Sequence, residues 1–439
     1  MEILFISDAV APFGTGWAAE AAACLGKALR SSGHRVTVVC PLPPGIDPVR
    51  RSLSRRLTRL EGQGDGGRVS FDVYEGRTPG GVETVLLGAQ GHSCDVASEP
   101  SMGAAFADAV VRLVKQRTAA PDIVHAEGRA GAAALVAFDS DEAPAAPRIL
   151  VVRPGDADDE RTARALAVAD ALVVPSPTVA RRLREEDSEQ GPLAAFVREG
   201  RGPVVGILDG LDAAVWNPMT DPLLPARFDA FDRAGKSTCR IELQRRLELP
   251  LRADIPLVAA LVGAADGGWQ LLEATAPRIL RNELELVLLL DGPPDDPRFE
   301  RLRAVAARYS ERCAAVGASA ELLHRAIAAA DVVLCPPAGA PGTSLHLSAC
   351  RYGALPVVRR TPWTADALVD CDPALETGDA FFFDRVDEEE WLATVRRAVA
   401  AFHRGARFEA RRTHVMRRDH SWDRAARQYE ALYRRLTAG

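Results

Sequence analysis

The chain has 439 residues, of which 47% are hydrophobic and 26% are charged, a balance typical of a soluble globular protein large enough for two domains. The net charge of −6 is small for this length and argues against nucleic acid or an anionic membrane as a general partner. No apolar run approaches the ~20 residues needed to cross a bilayer, and the eight cysteines are scattered without a CxxC pair. We therefore expect a cytoplasmic protein with reduced thiols, no metal site and no membrane partner.

The first part of the chain alternates strands and helices. Residues 3–40 read as strand, helix and strand, an order that predicts a parallel sheet with a right-handed crossover. Residues 41–67 are rich in Pro, Gly and Arg and indicate a long surface loop with some helix in it. The apolar runs at 69–74 and 82–87 then predict a hairpin.

The stretch GILDGLDAAVWNPMTDP at 206–222 separates this part of the chain from a second one. It begins as the end of a short strand and continues into Asp209-Gly210, a pair that favours a turn. After residue 250 a second series begins, with strands expected at 255–262, 284–290, 330–334, 355–358 and 380–383. Residues 421–436 have apolar side chains on one face and predict an amphipathic helix. The chain should therefore hold two α/β domains, and ligand sites tend to lie where such domains join.

Four long motifs resemble those of bacterial glycogen synthases and plant starch synthases: YEGRTPGGV at 74–82, ADALVVPSPTVARRL at 169–183, GILDGLDAAVWNPMTDPLLPARF at 206–228 and RYGALPVVRRT at 351–361. The resemblance covers nearly the whole chain. It implies the α/β GT-B architecture, in which two Rossmann-like, doubly wound domains face each other across a cleft. It places an acceptor-side domain at 1–248, a nucleotide-sugar domain at 249–419, and a C-terminal helix that crosses back to the first domain at 420–439.

The resemblance also shows which charges are missing for transfer of glucose from ADP-glucose to a glucan. Family members carry a lysine in an N-terminal K-T-G-G loop, whereas the matching loop here, VAPFGTGW at 10–17, has none. A second family loop supplies an Arg and a Lys, and here the Arg is replaced by Gly263, the Lys is absent and Asp266 adds a negative charge. Each such group contributes ~3–4 kcal/mol of transition-state stabilisation, so these losses predict poor support for a leaving diphosphate.

The candidate substrate-binding residues, matched to family motif positions, are Thr15, Gly16, His125, Arg129, Asp209, Gly342, Thr343, Ser344, Arg359 and Arg360. His125 fits a structural role equally well, because it accompanies a predicted strand. Arg129 falls about where the family has a sugar-contacting histidine, and a family glutamate is replaced by Ala340. No catalytic residue, cofactor or metal ligand is identified. The ligand implied is ADP-glucose or another nucleotide sugar.

Three functions remain open from the sequence. The one we favour is a catalytically degenerate glycogen synthase homologue, which binds α-glucan or nucleotide or regulates glucan metabolism through a protein partner. The second is an active glycosyltransferase with a rebuilt site, whose positive charge comes from Arg129, Arg153, Arg359 and Arg360. A purely structural protein is the least favoured, because a maintained two-domain cleft implies a ligand or partner.

Overall fold

The computed structural model describes residues 1–64, 66–91, 94, 96, 99–153, 155–157, 159–185, 191–263, 268–336 and 344–438. Contacts divide the chain into two compact units, one formed by Met1–Gly210 with Ser421–Gly439 and the other by Leu211–His420. The domain boundary expected after residue 248 falls inside the second unit, because the preceding helix packs there. Within the described ranges, no helix is both long and apolar enough to span a bilayer.

The first unit is built on one sheet whose strands alternate with helices. Its strands are β1 (Glu2–Ile6), β2 (Arg35–Pro41), β3 (Ser54–Arg55), β4 (Leu60–Gly64), β5 (Gly67–Arg77), β6 (Glu83–Ala89), β7 (Ile123–Glu127), β8 (Arg148–Val151), β9 (Ala171–Val174) and β10 (Val204–Gly206). Its helices up to this point are α1 (Trp17–Ser31), α2 (Pro100–Lys115), α3 (Gly128–Ala137), α4 (Glu160–Leu166), α5 (Pro177–Glu185) and α6 (Pro192–Arg198).

The strands of the first sheet lie in the order β10-β9-β8-β7-β1-β2-β6-β5-β3, and β4 also pairs with β5. The strands from β10 to β6 are parallel, whereas β5 runs antiparallel to its neighbours β6, β3 and β4. Their short buried apolar runs suit a parallel sheet that helices cover on both faces. The strand order reverses between β1 and β7, and ligands of such sheets bind beside the carboxyl ends of the strands at this point.

The predicted hairpin is confirmed as β5 and β6, which pair from Phe71 with Ala89 to Arg77 with Glu83. The segment at 41–67 corrects the prediction of a loop with some helix. Its described residues contain no helix, and they contribute the two short strands β3 and β4. The reason is tertiary, because these Arg- and Gly-rich strands form only by pairing with the outer side of β5.

The second unit has a sheet of its own. Its strands are β11 (Leu257–Gly263), β12 (Glu285–Asp291), β13 (Cys313–Gly317), β14 (Val332–Leu334), β15 (Leu355–Arg359) and β16 (Phe381–Phe383). Its helices are α7 (Ala234–Arg246), α8 (Gly268–Ile279), α9 (Glu300–Arg308), α10 (Ala320–Ala329), α11 (Leu345–Arg351), α12 (Pro362–Ala367), α13 (Glu388–Phe402) and α14 (Ala406–Arg417), with a short 3-10 turn at Pro297–Phe299.

All strands of the second sheet are parallel, in the order β13-β12-β11-β14-β15-β16. This is the 3-2-1-4-5-6 order of a doubly wound sheet, which reverses between β11 and β14. Residues 264–267, directly after β11, and residues 337–343, shortly after β14, lie outside the described residues. The five strands expected from the sequence are confirmed, and β13 is an additional strand.

A buried carboxylate holds the WNPMTDP stretch in place within the second unit. Asp221 Oδ2 accepts a hydrogen bond from the Tyr352 hydroxyl at 2.6 Å and lies 2.6 Å from His324 Nδ1. Trp216 stacks on the His324 ring with a centroid separation of 4.0 Å. All four side chains belong to one packed cluster, so this motif is explained by packing and hydrogen bonding inside the unit.

The last helix, α15 (Trp422–Thr437), belongs to the first unit. Its buried face, which includes Trp422, Tyr429 and Tyr433, joins the apolar cluster formed by α1 and the sheet. Tyr433 also hydrogen-bonds to His125 Nδ1 at 2.7 Å. The amphipathic helix expected from the sequence is confirmed.

Replacing Asp221 by Ala tests the buried cluster. We expect the free energy of unfolding to fall by about 3 kcal/mol, because the buried Tyr352 hydroxyl and His324 ring lose their acceptor. Urea denaturation followed by tryptophan fluorescence measures the change. Asp295→Ala is the control, since Asp295 is an exposed residue of the same unit. Equal stability of the two variants would contradict the proposed role.

Candidate functional site

An ion network occupies the carboxyl edge of the first sheet. Arg153, two residues after β8, donates through Nε to Glu127 at the end of β7 and through a terminal nitrogen to Asp209 Oδ2, at 2.7 Å, just after β10. All three side chains are buried or nearly so, with exposed fractions of 7%, 2% and 18% in that order. One guanidinium therefore serves two carboxylates at the edge where a doubly wound sheet would bind its ligand.

Trp17 covers this network. The centroid of its ring lies 3.2 Å from Cζ of Arg153, a contact in which the guanidinium lies over the aromatic ring. Trp17 is the first residue of α1. The indole thus fills space beside the helix start and shields Arg153.

Burial dominates the ionisation of the network. It raises the pKa of Asp209 to about 7, although the nearby Arg153 charge opposes the shift. Burial also raises the pKa of Glu127, again against the attraction of Arg153. The guanidinium itself stays charged. With a pKa of about 7, Asp209 is about half ionised near neutral pH, and both carboxyl groups are hydrogen-bonded to the guanidinium.

The strand-order reversal between β1 and β7 is also occupied by a side chain of the protein. Asp8, which follows β1, accepts hydrogen bonds from the backbone N–H groups of Arg129 and Ala130 at the start of α3, at 3.2 and 2.6 Å. Gly128, with a φ of +71°, permits this approach, because a Cβ at that position would lie 2.3 Å from Asp8 Oδ2. Asp8 thus takes the backbone donors that could otherwise bind an external anion.

The other candidates of the first unit are spread over this edge. Arg129 Nε donates to Asp159 Oδ2 at 3.0 Å, so its charge is also paired. Thr15 and Gly16 are exposed, and Gly16 is the N-cap residue directly before α1, with a φ of 93°. Asp209 is the member of this group that enters the Arg153 network.

His125 lies within β7 and is completely buried. Its ring contacts Phe5 at a centroid distance of 4.1 Å, and its Nδ1 pairs with the Tyr433 hydroxyl. Burial lowers its pKa well below the usual value, so the imidazole is neutral. These contacts account for His125 as a link between the sheet and α15.

Only some of the candidate substrate-binding residues of the second unit lie in the part of the chain that the structure describes. Gly342 and Thr343 lie outside the described residues, as does Ala340, and Ser344 precedes the seven-residue α11 without capping it through its side chain. Arg360 is paired with Asp384 at 2.8 Å and with Asp370 at 3.2 Å. Arg359 is exposed at the end of β15, and no described carboxylate pairs with it.

Two residues of the site, Asp8 and Glu127, are missing from the set proposed from sequence. Each is a carboxylate placed directly at or after the end of a buried strand, Glu127 as the last residue of β7 and Asp8 two residues beyond β1. Polar residues in such positions gather at the same edge of a parallel sheet. An acidic residue at or just after the end of a buried strand was thus the feature of the sequence that could have identified Asp8 and Glu127.

The raised pKa of Asp209 predicts a pH-dependent stability. Its ordinary value is 3.8 and its folded value about 7, so its contribution is fully present below about pH 4 and is lost as the pH rises through 7. Between about pH 5 and about pH 8, the free energy of unfolding should fall by about 2 kcal/mol more in the unmodified protein than in Asp209→Asn.

Chemical denaturation of both proteins at the two pH values measures this difference. Asp141→Asn, which changes an exposed aspartate of the same unit, should follow the unmodified protein. Parallel pH profiles for the unmodified protein and Asp209→Asn would show that this carboxyl titrates normally.

Comparison with known proteins connects this architecture to one family. Residues 2–149 match the family model described as the starch synthase catalytic domain. The glycogen synthase of Anaeromyxobacter sp. (strain Fw109-5) is 33% identical over 481 residues, covering 100% of each chain. Glycogen synthase 2 of Agrobacterium fabrum (strain C58 / ATCC 33970) is 30% identical, covering 99% of this chain and 93% of its own length.

Solved structures agree on the fold. The catalytic domain of starch synthase IV from Arabidopsis thaliana, bound to ADP and acarbose, superposes with a TM-score of 0.84 and 22% identity, covering 100% of this chain and 99% of its own. Sucrose-phosphate synthase from Thermosynechococcus elongatus gives 0.64 at 15% identity, with 100% and 99% covered. The α/β GT-B fold class is thereby confirmed. With full-length relatives that are 33% and 30% identical, the chain belongs to the glycogen synthase family.

Proposed function

We propose that this chain is a pseudoenzyme of the glycogen synthase family, which binds ligands or partners in glucan metabolism and does not transfer glucose from ADP-glucose. The observation that carries the proposal is the paired state of Arg153. Its guanidinium lies between Glu127 and Asp209 and beneath Trp17. A cation already hydrogen-bonded to two carboxyl groups is less available to stabilise a departing diphosphate.

The sequence supports the same conclusion at positions matched to family cations. The loop at 10–17 has no lysine, and Gly263 ends β11 where the family has an arginine. The chain has only three lysines, and one of them, Lys236, is buried and donates to the carbonyls of Ala328 and Tyr352. These losses act on the same leaving group, so their effects on transfer should combine.

Ligand binding is a separate question from transfer. We propose that the first unit keeps an acceptor side for α-glucan and that the second keeps a nucleotide side. The support is the full-length similarity to a starch synthase whose structure contains ADP and acarbose. ADP and a maltooligosaccharide are therefore the ligands with which to test retained binding.

The alternative is an active glycosyltransferase with a rebuilt site. Its support is that the full-length relatives are named glycogen synthases. The arginines available for such a site are mostly engaged, since Arg129, Arg153 and Arg360 each pair with carboxylates. Arg359 is the exposed exception among the four, within the described residues.

Incubation with labelled ADP-glucose and glycogen decides between the two. We expect no incorporation above a heat-killed sample, while the Anaeromyxobacter glycogen synthase, assayed in parallel, should label the glycogen. Incorporation by the unmodified chain would overturn the proposal. Calorimetric titration with ADP then measures whether nucleotide binding is retained. If Arg359→Ala leaves the ADP affinity unchanged, Arg359 does not supply positive charge to a rebuilt site, and the alternative loses the one arginine of the four that no described carboxylate pairs with.

Restoring one family residue should not restore transfer. Ala340→Glu returns a carboxylate to the position where the family has glutamate, but the cations for the diphosphate remain absent. We expect its incorporation of labelled glucose to equal that of the unmodified chain. A gain of activity in this single variant would show that the missing cations are not what limits transfer.

A further inference from the structure

A second surface of the first unit carries a concentration of arginines away from the carboxyl edge. We define it as the arginine edge, residues 47–59, which includes β3 at the end of the sheet order. No acidic residue occurs between 48 and 60, and the arginines in this segment are Arg50, Arg51, Arg55, Arg56 and Arg59. In a chain with a net charge of −6, this is a local reversal of sign.

The charges of the arginine edge are incompletely neutralised. Asp72 is shared by two guanidinium groups, those of Arg55 at 2.6 Å and Arg59 at 3.0 Å. Arg56 pairs with Glu75, and Arg50 pairs with Asp47 at 3.4 Å. Arg51 is exposed without a described carboxylate partner. Five cations thus face three anions, and the surface keeps a positive excess.

Two aliphatic side chains project from the same surface. Leu57 is fully exposed and Val49 is 85% exposed, the two most exposed large apolar residues among those described. Between them, Leu53 is buried in the apolar cluster under the sheet, where Gly76 makes room for it. The segment is therefore anchored, and its exposed apolar tips are held in a defined place.

The strand edge beside these side chains is open. β3 ends the sheet order, and within the described residues no strand pairs with its outer side. By contrast, the neighbouring β4 is covered by α2, where the Gln63 N–H donates to Asp108 at 2.8 Å and Gly62 lies against the Ala105 carbonyl. An uncovered edge with free backbone groups can accept another strand.

We propose that the arginine edge docks an acidic, extended segment of a partner protein, which adds a strand beside β3 and packs an apolar side chain on Leu57. Arginines on an edge also prevent pairing with another copy of the same chain, because like charges would meet. The same charges attract an acidic strand, and the exposed Leu57 supplies an apolar contact that a merely protective edge would not need. This surface is independent of the Arg153 network.

A labelled peptide of about ten residues, alternating Glu and Val, tests the proposal by fluorescence anisotropy. We expect binding that weakens between about 50 mM and about 300 mM salt, since the contacts are between exposed charges. The double variant Arg50→Glu with Arg51→Glu, and separately Leu57→Ser, should each weaken binding by about ten-fold or more. Arg434→Glu with Arg435→Glu is the matched control, because it makes the same charge change on exposed residues of α15.

Three results would overturn the proposal: no binding of the peptide to the unmodified protein, equal loss in the control, or equal binding of a peptide with prolines at alternate positions. Prolines remove the N–H groups that strand addition requires. Tighter binding of single-stranded DNA, with the same dependence on the arginines, would assign the surface to nucleic acid. Glucose transfer, measured on the same variants, is a separate readout, so failure of either proposal leaves the other standing.

Discussion

The position of one guanidinium between two buried carboxylates is the constraint on which the ligand edge of the first unit depends. Arg153 could not be buried alone, because an unpaired charge in the interior costs several kcal/mol. Glu127 and Asp209 meet that requirement, and in doing so they join the ends of β7, β8 and β10. An enzyme that receives an anionic substrate needs the opposite arrangement, a cation whose partner is the ligand. At this edge the guanidinium of Arg153 is bound by carboxyl groups of the protein itself.

A chain can resemble glycogen synthases along its whole length and still differ from them at a few charged positions, because the fold and the chemistry of a site depend on different residues. Asp221, His324 and Tyr352 show this, since they form a hydrogen-bonded cluster inside the second unit. Residues of this kind preserve a fold whether or not a reaction takes place on it. The overall sequence identity between two relatives therefore reflects mainly the residues that maintain the fold. Glucose transfer depends on a few polar residues, which make up only a small part of that identity.

Much of the fold was predictable because its strands are short apolar runs separated by helices with one buried face. β13 was not, since its sequence, Cys-Ala-Ala-Val-Gly, has little β-propensity, and its pairing with β12 decides its structure. The site was predictable only in part. Asp209 was identified, yet its partnership with Arg153 and Glu127 depends on strand order, which brings together residues 26 and 56 positions apart in sequence. The sequence alone also did not show that Arg129 pairs with Asp159, or that Arg360 pairs with Asp370 and Asp384.

The return of α15 to the first unit has a consequence for synthesis of the protein. Trp422, Tyr429 and Tyr433 complete an apolar cluster whose other members come from α1 and from several strands of the first sheet, including β1, β2, β8 and β9. A nascent chain on the ribosome must therefore make all of the second unit before the first can close its interior. During that interval the unit exposes an unfilled apolar face, which is the kind of surface that chaperones recognise.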